Sequence, residues 1–258
     1  GCLSAARAPG PAARPGASSP FGGARRGRPR PESGGAQVAR DFVNADGGVQ
    51  GRPIELVTRD ITTPGDAAER VNELSVAGVH SILGAYSSAL SMPISEAAQA
   101  DGLLYWEAGA VADQLTGRGY PLVFRVGATG GNLGAMSSHF AATVLAARLQ
   151  QPASSLRVAL VHNLDGYPMA VAAAVVEQAR KEHLQVVADV PYDARAPDWG
   201  ATINSLRAAN PDILMLSSYI DDGVRFRRAM LAAGLHVQPL IGTTWERCVP
   251  DFGVMLGA

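Results

Sequence analysis

From residue 54 onward, short apolar runs alternate with longer stretches whose apolar positions recur every three to four residues. The apolar runs fall at 54–58, 79–83, 103–106 and 122–126, then at 157–162, 184–190, 213–216 and 239–241. Bounded by Gly, Pro, Asn and Asp, runs of this length predict buried strands. Helices are predicted at 35–43, 64–77, 132–149, 167–182, 199–209 and 224–233. In 132–149, Leu133, Met136, Phe140 and Val144 share one side. End signals agree with the periods. Thr63 can cap the helix at 64–77, Pro64 suits its first position, Asp66 and Glu69 lie near its positive end, and Gly78 closes it. Strict strand–helix alternation predicts an α/β fold with doubly wound parallel sheets and right-handed crossovers.

The alternation falls into two series, separated by the glycine-rich stretch 127–134. Glycine absorbs backbone rotation at low cost, so this stretch predicts a hinge between two lobes with a cleft between them. The first lobe is predicted at 35–126 and the second at 135–241. Residues 1–34 are rich in Gly, Pro, Ala and Arg without a hydrophobic period, which predicts a disordered or anomalous tether.

The stretch 79–116 carries the clearest chemistry. A strand at 79–83 ends at Gly84, and Ser87, Ser88 and Ser91 then open a helix with Pro93 in its first turn. A serine loop at a helix N-terminus, at the carboxyl end of a parallel strand, suits a small anion. Capping of the helix by Ser87 and Ser88 is the alternative. A second strand, 103–106, ends in Glu107-Ala108-Gly109, where Glu107 is either a ligand partner or a solvated acid. Tyr167 and Tyr219 each follow a predicted strand, on the edge where open α/β sheets bind ligands. His162 reads as a core histidine, Asp221-Asp222 as a cap for the helix near Gly223, and Arg225, Arg227 and Arg228 as its solvated face.

Charge narrows the classes. The chain has 258 residues with net charge −1, but residues 1–34 hold six arginines and one acid, Glu32. The remainder holds 16 basic and 22 acidic residues, and an acidic body argues against nucleic acid as a partner. No apolar run reaches the roughly 18–20 residues of a membrane helix. The two cysteines, Cys2 and Cys248, lack metal-ligand spacing. Gly1-Cys2 followed by a small-residue tether fits the processed start of a bacterial lipoprotein, against coincidence as the other reading. G-x-S-x-G, H-E-x-x-H and the phosphate-cradling G-x-x-x-x-G-K-[ST] do not occur, so a hydrolase is the weaker class.

Several segments together resemble one family. They are G-A-Q-V-A-R-D-F-V-N-A-D-G-G-V-Q-G-R-P-I-E-L-V-T-R-D, G-A-Y-S-S-A, L-T-G-R-G-Y-P-L-V-F-R-V, V-A-L-V-H-N-L-D-G-Y, D-W-G-A-T-I-N-S-L-R-A-A-N-P-D-I-L and F-R-R-A-M-L-A-A-G-L. In order and spacing, these are similar to the solute-binding proteins of branched-chain amino-acid-type ABC importers, which are leucine-binding-protein-like. The resemblance implies the two-lobed type I periplasmic binding fold with an incomplete first strand and C-terminus, residues 242–258 being a return segment toward the first lobe. It implies an extracytoplasmic solute-binding component, monomeric, partnered by ABC permease subunits in the membrane, with no catalytic residue, cofactor or metal. A ligand-sensing regulator is the alternative on the same fold.

The same resemblance implies the ligand contacts. Ser87, Ser88 and the Ala89 N–H would hold a ligand carboxylate. Gly109 would offer a carbonyl, and Val111 stands where the family has a threonine hydroxyl. Tyr167 and Tyr219 would come from the second lobe. Thr244 falls near the family's acid for a ligand ammonium, and Glu107, Asp222 or Glu246 are candidate substitutes. Trp106 and Trp245 are candidates for apolar lining. The implied ligand is a small polar molecule: an amino acid, an amide or a related carboxylate.

Overall fold

The computed structural model describes residues 2–6, 16–17, 31–237, 239–243 and 251–256. It divides into two compact units, residues 1–128 and 129–258. Thr244, Trp245 and Glu246 lie outside the described residues.

The first unit contains β1 (Cys2–Ala6), β2 (Gly16–Ala17), α1 (Pro31–Ala45), β3 (Val57–Asp60), α2 (Ala67–Val76), β4 (Ser81–Gly84), α3 (Ser88–Ala100), β5 (Leu104–Glu107), α4 (Gln114–Gly117) and β6 (Val123–Arg125). Its main strand order is β3-β1-β4-β5-β6, with β2 paired to β4 off that path. β4, β5 and β6 run parallel, as the alternation predicts. β1 is a correction to the tether reading, because it pairs antiparallel with both β3 and β4. Its sequence shows no strand period, and its partners are some fifty to eighty residues away along the chain. The backbone groups on the facing edges of β3 and β4 supply the pairing, which is non-local and invisible to local pattern.

Period-two alternation places the core. Ile82, Tyr105 and Val123 point to one face, where they pack with Val71, Leu74, Ile94 and Ala98 of α2 and α3. Full burial of each large apolar side chain contributes about 1.5–3 kcal/mol. Trp106 and Phe124 point to the other face and stack at 5.1 Å. α2 is preceded by a 3₁₀ turn, Pro64–Asp66, with Thr63 as N-cap and the Asp66 carboxylate accepting from the Thr62 and Thr63 N–H groups. Pro93 lies inside α3 rather than in its first turn.

The second unit contains α5 (Gly130–Phe140), a π turn (Ala141–Leu145), α6 (Ala146–Leu149), β7 (Arg157–Asn163), α7 (Gly166–Lys181), β8 (Gln185–Tyr192), α8 (Trp199–Ala209), β9 (Ile213–Ser217), α9 (Ile220–Ala232), β10 (Leu240–Gly242) and α10 (Asp251–Leu256). The sheet order is β10-β9-β7-β8, and every pairing is parallel. Leu160, Val161, Leu214, Met215 and Leu216 are fully buried. Of the glycine-rich stretch, residues from Gly130 on are helical. Gly134 serves packing: a Cβ there would stand 2.3 Å from the Val171 carbonyl oxygen and 2.8 Å from the Ala174 Cβ. Ser138 Oγ donates to the Val175 carbonyl at 2.8 Å, so α5 lies directly on α7.

Candidate functional site

In the first unit the site is built where β4 and β5 end side by side. Gly84 and Glu107 are register partners. Parallel strands bring their carboxyl ends to one edge, so the loops 85–87 and 108–112 emerge together. Tyr86 sits at φ 66°, a left-handed conformation that costs a bulky residue of order 1–2 kcal/mol. Gly109 packs flush against it, and a Cβ at Gly109 would meet Tyr86 Cα and Cδ2 at 2.9 Å.

Ser87 occupies the N-cap position of α3, but its side chain makes no capping hydrogen bond. The Leu90 and Ser91 N–H groups donate to the Ser87 carbonyl. The Ser88 and Ala89 N–H groups belong to the open first turn, at the positive end of the helix. Ala89 is exposed and Ser88 is buried. The Ser88 hydroxyl accepts from the Ala112 N–H at 3.2 Å, tying the serine loop to the second loop. Gly109 and Val111 are buried within that second loop. Arg125, at the end of β6, braces the loop by donating to the Ala112 carbonyl at 2.8 Å and to Thr116 Oγ1 at 3.0 Å.

Glu107 departs from its expected role. The sequence offers it as a ligand partner or a solvated acid, whereas the structure turns it inward with 0% exposure. One carboxylate oxygen accepts from the N–H groups of Tyr86 at 3.3 Å, Gly109 at 2.7 Å and Ala110 at 2.8 Å. The other accepts from the Ala85 N–H at 3.0 Å, Ser91 Oγ at 2.5 Å and Tyr105 Oη at 2.8 Å. Six donors on about four lone-pair sites leave neither oxygen short of a partner. Burial pushes the Glu107 carboxyl above the ordinary value, while its bonds from Ser91, Ala110, Gly109 and Tyr105 pull the other way. Burial also raises the Tyr105 phenol, with the adjacent Glu107 charge adding to the effect. Trp106 lies on the opposite face of β5, stacked on Phe124.

Beside the two loops lies an apolar recess of about 310 Å³, lined among others by Gly35, Ala36 and Ala39 of α1 and by Gly84, Tyr86 and Gly109. Sequence reading passes over the α1 residues. Their spacing at 35, 36 and 39 places small side chains on one helical face, which is the signal that could have found them. A larger cavity, about 560 Å³, belongs to the second unit and involves Arg227, Val237, Pro239 and Leu240. It lies at the amino end of β10, away from the edge where α/β sheets carry ligands.

The second unit gathers its tyrosines at the carboxyl ends of β7 and β9. Tyr167 is 2% exposed; its hydroxyl donates to the Ser218 carbonyl at 2.7 Å. Tyr219, half-buried, donates to Asp165 Oδ2 at 2.7 Å and meets the Tyr167 ring edge-on at 5.0 Å. Asp222 is not the cap the sequence suggests. α9 starts at Ile220, so Asp222 falls inside its first turn. Its carboxylate accepts from Asn163 Nδ2 and Tyr192 Oη, both at 2.8 Å, joining the ends of β7 and β8 to α9. Burial raises its pKa, against those two hydrogen bonds. His162 is buried, with Nδ1 3.0 Å from the Asn163 carbonyl and Nε2 3.3 Å from Asp189 Oδ1, as a satisfied core histidine should be. No group of three or more metal-binding side chains occurs among the described residues.

Two α/β units, each with its polar loops at the carboxyl ends of parallel strands, define the class of type I periplasmic binding folds. The chain belongs to the periplasmic binding protein family, whose model matches residues 16–250. It is 31% identical over 209 residues to Leu/Ile/Val-binding protein homolog 8 of Brucella abortus, a match covering 81% of this chain and 52% of that protein. The chain thus spans about half the length of the curated relatives it matches. An ABC transporter substrate-binding protein from Desulfitobacterium hafniense, solved in complex with Leu, superposes with TM-score 0.71 at 21% identity over 87% of this chain and 64% of its own. A solute-binding protein from R. palustris, solved in complex with 4-hydroxybenzoate, gives TM-score 0.74 at 19% identity over 93% of this chain and 64% of its own.

Proposed function

We propose that the chain is the solute-capturing part of an ABC importer, working outside the cytoplasm, delivering its ligand to membrane permease subunits and catalysing no reaction. The ligand is a small molecule with a carboxylate or similar polar head and an apolar body. The observation that carries this reading is the junction after β4. There Ser87 stands at the start of α3 with its hydroxyl uninvolved in capping, and the first-turn N–H groups of Ser88 and Ala89 lie beside it. A helix N-terminus of this kind favours a carboxylate. The apolar recess beside Tyr86 and Gly109 suits the body of the ligand. Tyr219 is the contact proposed from the second unit, with the buried Tyr167 packed against its ring as support, and closure on the ligand would shift an existing equilibrium between open and closed forms.

Membership in the periplasmic binding protein family supports this reading. So do relatives and fold neighbours named for leucine-type binding or solved with Leu or 4-hydroxybenzoate. Isothermal titration of the chain with L-leucine, L-isoleucine, 4-hydroxybenzoate, acetamide and urea tests it. Saturable binding of one of them, weakened by Ser87→Ala and by Tyr219→Ala, is the expected result. Heat signals that never saturate across the whole panel would refute it.

A further inference from the structure

We propose that Glu107 is an internal anion that holds the two ligand loops of the first unit in their working shape, a positioning residue rather than a ligand contact. This inference rests on the reading that the loops 85–89 and 109–112 contact the ligand. Four of its six donors are backbone N–H groups, two from each loop: Ala85 and Tyr86 on one side, Gly109 and Ala110 on the other. Such N–H groups can only donate, so only an acceptor satisfies them. The other two donors fix the carboxylate itself, Ser91 from α3 and Tyr105 from β5.

The clamp answers a specific strain. Tyr86 is held at φ 66° and Gly109 lies against it with no space for a Cβ. A left-handed tyrosine persists only where its surroundings over-determine it. The Glu107 carboxylate does so by binding the Tyr86 N–H and the Gly109 N–H with the same oxygen. Ser88, whose hydroxyl accepts from the Ala112 N–H, adds a second tie between the loops. The serine wall is therefore organised from behind by a charge that solvent does not reach.

The charge also makes the wall sensitive to acid. An ionised carboxylate accepts from all six donors, whereas a protonated one must turn an O–H toward them. The groups facing Glu107 are few among the described residues. β5 brings the Tyr105 phenol and α3 the Ser91 hydroxyl, and the loops bring only amides. From β6, the Arg125 cation acts electrostatically on both Glu107 and Asp113. Burial raises the Glu107 pKa, so its protonation falls closer to neutrality than that of an exposed glutamate.

The test uses the full chain, with Glu107→Gln and Tyr105→Phe, and with L-leucine and 4-hydroxybenzoate as probes. The amide keeps the shape but, with its oxygen left to the Tyr86, Gly109 and Ala110 N–H groups, sets its NH2 against the Ala85 N–H and reverses the bonds to Ser91 and Tyr105. Glu107→Gln is expected to weaken the bound probe by about tenfold or more. It should also speed hydrogen exchange at the Ala85, Tyr86, Gly109 and Ala110 amides, leaving those of β7 and β9 unchanged. As pH is lowered, wild-type affinity should fall while that of Glu107→Gln stays flat, a contrast that mere loss of packing would not produce. If Glu107→Gln does not fold, Tyr105→Phe takes its place, with a smaller loss of affinity and a displaced pH profile. Unchanged affinity and unchanged exchange at the four amides would overturn the proposal while leaving the binding function intact. If the wild-type chain binds neither probe, the functional reading fails for them, and the four amides decide the clamp alone: faster exchange in the variant supports it, equal exchange overturns it.

Discussion

At the scale of single residues, two buried acids set most of the local chemistry. Glu107 and Asp222 have pKa values raised by burial, each against hydrogen bonds that pull the other way. A raised carboxyl pKa means that the folded protein holds its proton at a pH where the unfolded chain has lost it. The contribution of Asp222 to stability is therefore fully present below its ordinary value of 3.8 and is lost as pH rises through the folded value. Asp222→Asn should flatten that decline, measured as urea midpoints from pH 4 upward. Tyr192→Phe removes one of its two side-chain donors and should cost about 1 kcal/mol at neutral pH in the same assay. Gly109→Ala makes a sharper case. Its Cβ would stand 2.9 Å from Tyr86 Cα, a backbone atom that cannot swing aside. A loss of about 1–3 kcal/mol in urea unfolding, with weaker ligand binding, is expected; a neutral result would show that the two loops are not in this contact.

At the scale of elements, capping and close approach decide where helices start and how they lie. Thr129 opens α5 by accepting from the Asn132 N–H at 3.0 Å, while Asn132 Oδ1 accepts from the Thr129 N–H at 3.1 Å. Thr129→Ala should therefore cost about 1 kcal/mol, read from thermal or urea midpoints. Gly134→Ala should cost more, about 1–3 kcal/mol, because a methyl group 2.3 Å from the Val171 carbonyl forces α5 and α7 apart. The glycine-rich stretch illustrates the limits of composition. Glycine permits rotation and also permits contact, and at Gly134 the second property is the one in use. The helical period of 132–149 is legible in sequence, yet it is interrupted by the π turn Ala141–Leu145, which no residue in it announces.

At the scale of the molecule, the two units carry equivalent plans. Each has a parallel set of strands, helices on the crossovers, and polar loops at the carboxyl edge. A ligand that binds only the folded form raises its stability by about 2.7 kcal/mol at a hundred times its Kd. Thermal unfolding with excess L-leucine or 4-hydroxybenzoate should accordingly shift to higher temperature for the ligand that binds. Ser87→Ala should reduce that shift without changing the midpoint in the absence of ligand, since its hydroxyl makes no capping bond.

The sequence by itself determined the alternation of strands and helices, the pairing of β4, β5 and β6 in parallel, the serine loop at the start of α3 and the tyrosines after β7 and β9. These follow from local periods, caps and strand ends, which neighbouring residues impose. Only the tertiary structure decided the insertion of β1 between β3 and β4, the contribution of Gly35, Ala36 and Ala39 to the recess, and the inward turn of Glu107. Each of these depends on partners distant along the chain. An acid at a strand end reads as a ligand partner or a solvated group until four backbone N–H groups and two hydroxyls, drawn from positions 85 to 110, are folded around it.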